Sequence, residues 1–455
     1  MSKNTIQGVL HLAEGARVQI QGWVRSCRLQ KDVAFLTVSD GSCARPLQVV
    51  LGSTLRTRLD TGASVLVEGT LVNSPKGDSL ELRAEQLALI GSCDATEFPW
   101  SKKFHSLDFL RTLPHLRPKT SLGGAVLRVR NAAFFAFHQF FNQMGLIFVQ
   151  TPILTASDCE GAGEQFQVSA GRRQDFFGSP AFLTVSGQLH LECFASAHVP
   201  GVYCFGPTFR AEQSHTTRHL AEFWMLEPEL TFAGLDDVLK VCQQSIQFAA
   251  KEVLEKCSED LELIDKIKAQ NDKTIANTGT EWSLTAIERV ESLVSMKSFP
   301  VVSYRDALDL LKTRPTEFNQ KPSWESGLHT EHERDLANHF QGPGFVTHYP
   351  KEQKPFYMNP SGDDTVACMD LLFPQIGEIA GGSERIHEYD VLLNSMQRHG
   401  LNLKAYEWYS DLRKFGSVPH AGFGIGFDRV VQYLTGMLNI RDVVPVPRAA
   451  GSIQM

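Results

Sequence analysis

Nine cysteines are scattered through the 455 residues, but none forms a Cys-x-x-Cys pair or a Cys/His cluster at metal-binding spacing. That excludes a disulfide framework and a structural zinc site, and the thiols read as buried or free side chains in a reducing compartment. No uninterrupted apolar run reaches membrane-spanning length, and the opening MSKNTIQGVL lacks the charged-then-apolar pattern of a secretory signal, so a cytoplasmic protein without a membrane partner is expected. Positive charge is also in short supply. The formal net charge is −7, which argues against a bulk polyanion-binding surface and leaves any nucleic acid to local basic patches. Two runs qualify, Arg17, Arg25, Arg28 and Lys31, then Lys102, Lys103, Arg111, Arg117 and Lys119; either is equally readable as a solvated face. No internal repeat or low-complexity segment is evident.

The chain does have the means to bury a large core, with 42% hydrophobic and 21% charged residues over a length that calls for two or more domains. Residues 17–93 read as five short strands broken by the turn signals DGS, RTRLDTG and NSPKGDS, and five strands in so short a span suggest an oligonucleotide-binding (OB) type of β-barrel. The prolines and basic residues of 99–121 read as a hinge. From residue 122 the pattern turns helical (AVLRVRNAAFFAFHQFFNQMG) and stops at Gly145, before the extended segment LIFVQTPIL. Without regular strand–helix alternation, residues 122–455 are expected to form an α+β domain on an antiparallel sheet, with a mostly helical, polar insertion at about 255–340 to which no chemistry is assigned. The resulting division is 1–98, 99–121 and 122–455.

Chemistry concentrates in VYCFGPTFRAEQSHTTRHLAEFWMLEPEL, residues 202–230, which reads as an antiparallel hairpin around a polar loop at about 213–217. A two-residue period places His219, Phe223 and Glu227 on one face of the second strand, with Phe223 and Glu227 roughly 13 Å apart, a separation that suits the two ends of one extended ligand. Arg210 and Glu212 share a face of the first strand, and with Arg218 and His219 they offer cationic donors for phosphates. The plain alternatives are Phe223 as core and Glu227 as half of an ion pair. Further on, if MDLLFPQIGE is a hairpin turning at Pro374, Asp370 and Glu378 face one another. Like charges so placed repel unless a cation intervenes, and an all-oxygen pair beside phosphates selects Mg2+; two exposed loop acids are the alternative.

The hairpin resembles motif 2 of the class II aminoacyl-tRNA synthetases, and FGPTFRAE with RHLAEFWMLEPE is close to the asparaginyl-tRNA synthetases of the aspartate/asparagine subgroup. GWVRS, TPILTASDCEGAGEQF, FLTVSGQL, MDLLFPQIGEIAGGSER, VPHAGFGIGFDRVVQYLTG and NIRDVVPVPR extend the resemblance, in order, over almost the whole chain. It implies a ligase that activates L-asparagine with ATP and Mg2+ and transfers it to tRNA(Asn). By resemblance Arg210 holds the α-phosphate, Arg218 and His219 approach the outer phosphates, and Phe223 and Arg429 sandwich adenine. Glu212 belongs to the ATP site, and Asp370 and Glu378 hold the metal. Arg385 and Glu227 are implied as donor and acceptor for the side-chain amide. Ser186 and Gln188 are placed at the amino-acid backbone, and Glu164 in a lid. In the barrel, Phe35, Gln48, Arg25 and Arg28 would meet the anticodon loop, where a stacking aromatic, an amide and phosphate-binding arginines are what a single strand needs; Phe35 as a barrel-core residue is the alternative. The Phe-rich helix and Thr151-Pro152 resemble motif 1, the two-fold interface of the family, so a homodimer is implied, with monomer core as the other reading of the helix.

The chain departs from the asparaginyl pattern with SGQLHLE for SGQLNGE, GSERI for GSQRE, GFDR for GFER, YMNPS for YMRLN and PRAAG for PRTPG. His190, Leu191, Glu384 and Asn359 stand at those differences. The aspartate enzymes place a lysine where Leu191 stands. Three rival readings are an aspartyl or dual-specificity synthetase, a synthetase-derived asparagine-forming enzyme, which the presence of the barrel opposes, and a non-catalytic RNA-binding or regulatory protein, which the retained Arg210, Asp370, Glu378 and Arg429 oppose.

Overall fold

A computed structural model describes residues 4–75, 77, 79–99, 105–157, 159, 165–171, 176–214, 216–272 and 282–455. The chain clusters into two compact units, residues 1–128 with 258–275, and residues 129–257 with 276–455.

The first unit is built on a closed barrel of β1 (Arg17–Leu29), β2 (Ala34–Ser39), β3 (Leu47–Leu51), β4 (Ser64–Asn73) and β5 (Leu80–Gly91), in the spatial order β1-β2-β3-β5-β4. Alternation explains it. Ala34, Leu36, Val38, Leu47, Val49 and Leu51 are fully or almost fully buried, while the residues between them face outward. Closure comes from β3 running parallel to β5, the other ladders being antiparallel. The register of β1 against β2 shifts between Val24 and Ser26, so Arg25 falls at a bulge, outside the regular alternation of its strand.

The second unit carries β6 (Ile147–Phe148), the small sheet of β7 (Leu154–Thr155), β8 (Gln167–Val168) and β9 (Ala181–Leu183), then β10 (Gly201–Phe209), β11 (Glu222–Thr231), β12 (Val301–Ser303), β13 (Gly344–Thr347), the ribbon β14 (Pro360–Ser361) and β15 (Thr365–Val366), β16 (Cys368–Phe373), β17 (Gly377–Glu384) and β18 (His420–Gly426). Its main sheet has eight strands in the order β12-β13-β16-β17-β18-β11-β10-β6. The sheet is antiparallel through its centre, as expected, and mixed at its edges. β6 pairs parallel to β10 and β12 parallel to β13, at the two edges. A parallel pair needs a crossover, and the helices Tyr304–Thr313 and Thr330–His339 supply it between β12 and β13.

The helical run observed is Ser121–Gln143, followed by Gly145 at φ 79°, a left-handed stop that glycine accepts without strain. Phe134 and Phe137 of this helix pack on Phe205 and Phe427, with Phe134 stacked 4.4 Å from Phe205, whereas Phe135 is 60% exposed. The helix is therefore partly core and partly free surface. The segment expected to be helical at 255–340 continues the helix Leu235–Asp272 past a non-helical residue, Cys257, and adds Ala286–Ser295 and the two crossover helices. Among the described residues no helix is long and apolar enough to cross a membrane.

Candidate active site

β10 and β11 form an antiparallel hairpin with Thr208 opposite Phe223 and Cys204 opposite Glu227. The polar loop is longer than the spacing predicts. β10 ends at Phe209 and β11 starts at Glu222, so Arg210, Glu212 and His219 lie in the loop and not on the strands. Polar side chains crowded around a site leave the ladder early, and loop backbone is free to aim them inward. They converge nonetheless. A cavity of about 590 Å³ is lined by Arg210, Glu212, Arg218, His219 and Phe223, by Ser186, Gln188, Glu227 and Arg385, and by Asp370, Glu378 and Arg429. Glu164, expected in a lid, lies outside the described residues.

At one end, positive groups gather. The Arg210 guanidinium stands 5.4 Å over the Phe223 ring, and Arg429 donates to the Glu378 carbonyl at 2.6 Å. Burial and then Arg429, Arg218 and Arg210 push His219 down to about 4. Ser214 Oγ and Thr216 Oγ1 lie 2.8 and 2.6 Å from its Nδ1, within hydrogen-bond reach of the neutral ring. Arg218 is held by Glu333, 3.1 Å away, which also accepts from the Glu378 N–H at 3.2 Å. No chemistry had been assigned to that helical segment; a contact 115 residues away in sequence leaves no local signal.

The two carboxylates meet by a different register from the one expected. The β16–β17 turn centres on Gln375, at φ 65°, and the ladder shifts between Leu371 and Leu372, so Asp370 pairs with Gly381 and Glu378 with Leu372. The absence of a side chain at Gly381 lets both carboxylates in, since a Cβ there would stand 3.3 Å from an oxygen of each. Burial and the nearby Glu378 raise Asp370 to about 6 against the pull of Lys354. Burial alone would raise Glu378 too, but Arg429, Lys354, Arg210 and Arg218 outweigh it and its acidity ends stronger than usual. Two close carboxylates beside a group of cations suit an oxygen-seeking divalent ion that arrives with an anionic ligand. Among the described residues no third His, Cys, Asp or Glu completes a metal cluster, so the two carboxylates supply only part of the oxygen set such an ion takes.

At the other end the polar groups are buried and paired. Glu227, 4% exposed, accepts from Ser186 Oγ, from the Gly187 N–H at 3.0 Å and from the Cys204 thiol at 3.4 Å. Arg385 grips Glu229 at 2.5 Å and donates to Ser383 Oγ at 2.8 Å. Gln188 donates to Glu192, itself fully buried beside Arg413, Tyr409 and His420. Glu229 had escaped notice, although continuing the two-residue period past Phe223 and Glu227 places it on the same face. Leu191 is fully buried.

In the barrel, Phe35 projects outward between buried Ala34 and Leu36, beneath the Arg28 guanidinium at 4.9 Å. Gln48, also outward, donates to Glu81 at 2.7 Å. Arg25 is engaged elsewhere, donating to the Lys119 carbonyl and to Ser121 Oγ at 2.8 Å, because the bulge in β1 re-aims it.

Similarity to known proteins agrees with this geometry. The family described as tRNA synthetases class II (D, K and N) matches residues 110–450, and the OB-fold nucleic acid binding domain matches residues 18–90. The chain is 46% identical to the asparagine–tRNA ligase of a Synechocystis species, with 98% of each covered, and 46% identical to that of Desulfotalea psychrophila, with 96% of each covered. The crystal structure of asparaginyl-tRNA synthetase from Pyrococcus horikoshii complexed with asparaginyl-adenylate superimposes with a TM-score of 0.86 at 30% identity, covering 100% of this chain and 99% of that one.

Proposed function

The chain belongs to the asparagine–tRNA ligases, within the class II synthetases, and from that premise we propose how this site activates L-asparagine with ATP and loads it onto tRNA(Asn). The reading rests most heavily on one observation. The buried amino-acid end offers two carboxylates, Glu227 and Glu229, against one guanidinium, Arg385. A neutral amide fits there, with Arg385 donating to its oxygen and Glu227 accepting from its NH2. An aspartate carboxylate would face a surplus of negative charge, at a cost of several kcal/mol.

Arg210 holds the α-phosphate, Arg218 and His219 meet the outer phosphates, Glu212 contributes to the ATP site, and adenine lies between Phe223 and Arg429. Gln188 and Ser186 address the amino-acid backbone. The asparagine carboxylate attacks the α-phosphorus in line and pyrophosphate leaves. The terminal ribose hydroxyl of tRNA then attacks the adenylate carbonyl and AMP leaves. No side chain forms a covalent bond; positioning and the fixed charge of Arg210 supply the rate, a single well-placed donor contributing roughly 3 kcal/mol. Asp370 and Glu378 are the residues that would hold Mg2+, which would supply neutralisation of phosphate charge when bound. Phe35, Gln48 and Arg28 form the anticodon face. A homodimer through the motif 1 region is supported by β6 at the sheet edge, where Ile147 and Phe148 are 48% and 40% exposed, and by exposed Phe135; sedimentation at micromolar concentration should give twice the chain mass.

ATP–pyrophosphate exchange with each amino acid tests the central reading. Asparagine should support exchange, and aspartate should be slower by on the order of a thousandfold or more. Equal turnover with the two would overturn it.

A further inference from the structure

One cation in the cavity has no part in the scheme above. Lys354 lies in the segment after the short helical turn Lys351–Gln353, and its Nζ donates to both oxygens of Asp370, at 2.7 and 3.0 Å. Both side chains are largely withdrawn from water, 16% and 14% exposed, and the ammonium also rests 3.9 Å over the Tyr349 ring. Neither contact is a loose surface pairing. A lysine ammonium is a compact point charge, and one laid across both oxygens of a carboxylate covers the lone pairs a metal would take.

We propose that Lys354 is the resident counter-ion of the Asp370/Glu378 pair, barring a divalent cation from the site until nucleotide arrives, whose phosphates then take the released ammonium. The proposal rests on the reading of these carboxylates as the metal site. Two physical facts carry it. Among the described residues no third His, Cys, Asp or Glu joins the two carboxylates, a sparse set for a hard cation that wants six oxygens, and an ammonium already on one of them makes entry weaker still. The phosphates of ATP change both terms together, since they add oxygens to the cation and offer Lys354 another anion. Lys354 is thus a positioning residue, keeping two like charges tolerable in the empty cavity and tying metal entry to substrate entry.

Mn2+ titration followed by electron paramagnetic resonance tests this without any turnover. In the absence of nucleotide, wild-type protein should bind Mn2+ weakly and Lys354→Met should bind it about tenfold tighter or more, while Lys354→Arg should restore weak binding. Asp370→Asn combined with Lys354→Met should lose the gain. Equal or weaker Mn2+ binding by Lys354→Met with an unchanged thermal melt would overturn the proposal. So would tightening in Lys354→Arg to the level of Lys354→Met. Exchange activity with asparagine separates the two readings, because a normal exchange with unaltered Mn2+ binding removes only the role of Lys354.

Discussion

Glu227 and His219 show how differently two polar side chains of one cavity can be used. Three donors on Glu227 leave it immobile and acceptor-only, so replacing it by an amide keeps the shape while turning one acceptor into a donor facing the substrate NH2. Glu227→Gln should therefore fold normally and lose about a hundredfold or more in kcat/KM for asparagine in exchange; a loss under threefold would remove Glu227 from recognition. His219 is kept neutral, its pKa lowered from 6.5 to about 4 by burial and then by three arginines. A depressed histidine pKa means that the unfolded chain takes up the proton first, so this contribution to stability is complete above pH 6.5 and is lost as pH falls towards 4. Calorimetric melts at pH 7 and pH 5 should show a larger drop for the wild type than for His219→Asn. Residues of this kind were partly legible beforehand. Phe223 and Glu227 follow from strand period, and Glu229 follows from the same period carried two residues on. Lys354 and Glu333 could not be found that way, because what makes them important is a partner brought in by the sheet.

At the scale of elements, legibility depended on whether one rule or two governed the chain. The barrel strands obey alternation alone, and the fully buried positions of β2 and β3 mark their inner faces. At β16–β17 a bulge and a left-handed Gln375 act together, and symmetry about Pro374 misplaces the pairing. The central strands also depend on close backbone approach. A Cβ on Gly382 would stand 2.6 Å from Phe423 Cβ and 2.7 Å from the Gly422 carbonyl, with no flexible group able to yield. On Gly424 the first obstacle is the Met225 methyl at 2.5 Å, the mobile end of a side chain. Gly382→Ala should cost about 2–3 kcal/mol in urea unfolding and Gly424→Ala under about 1 kcal/mol. The opposite order would mean that the sheet yields where its backbone is tightest.

For the whole molecule, the residues lining the cavity all fall within 186–440, whereas the proposed anticodon face belongs to residues before 92. On that proposal adenylate formation draws on one set of side chains and tRNA selection adds a second. The outward position of Phe35 was not decidable from pattern, because an aromatic in an alternating strand serves core or surface depending on phase. The phase here is set by Ala34 and Leu36 inside. Freed from the core, Phe35 can be removed without opening a cavity, and what is lost is a stacking surface flanked by Arg28. One base stack contributes about 1–3 kcal/mol, so Phe35→Ala should lower kcat/KM for tRNA charging by roughly ten- to hundredfold while ATP–pyrophosphate exchange stays within about twofold. Both assays on one preparation decide it. If exchange fell in step with charging, the barrel would be acting on the chemistry at the cavity, and the assignment of anticodon recognition to an independent surface would have to be given up.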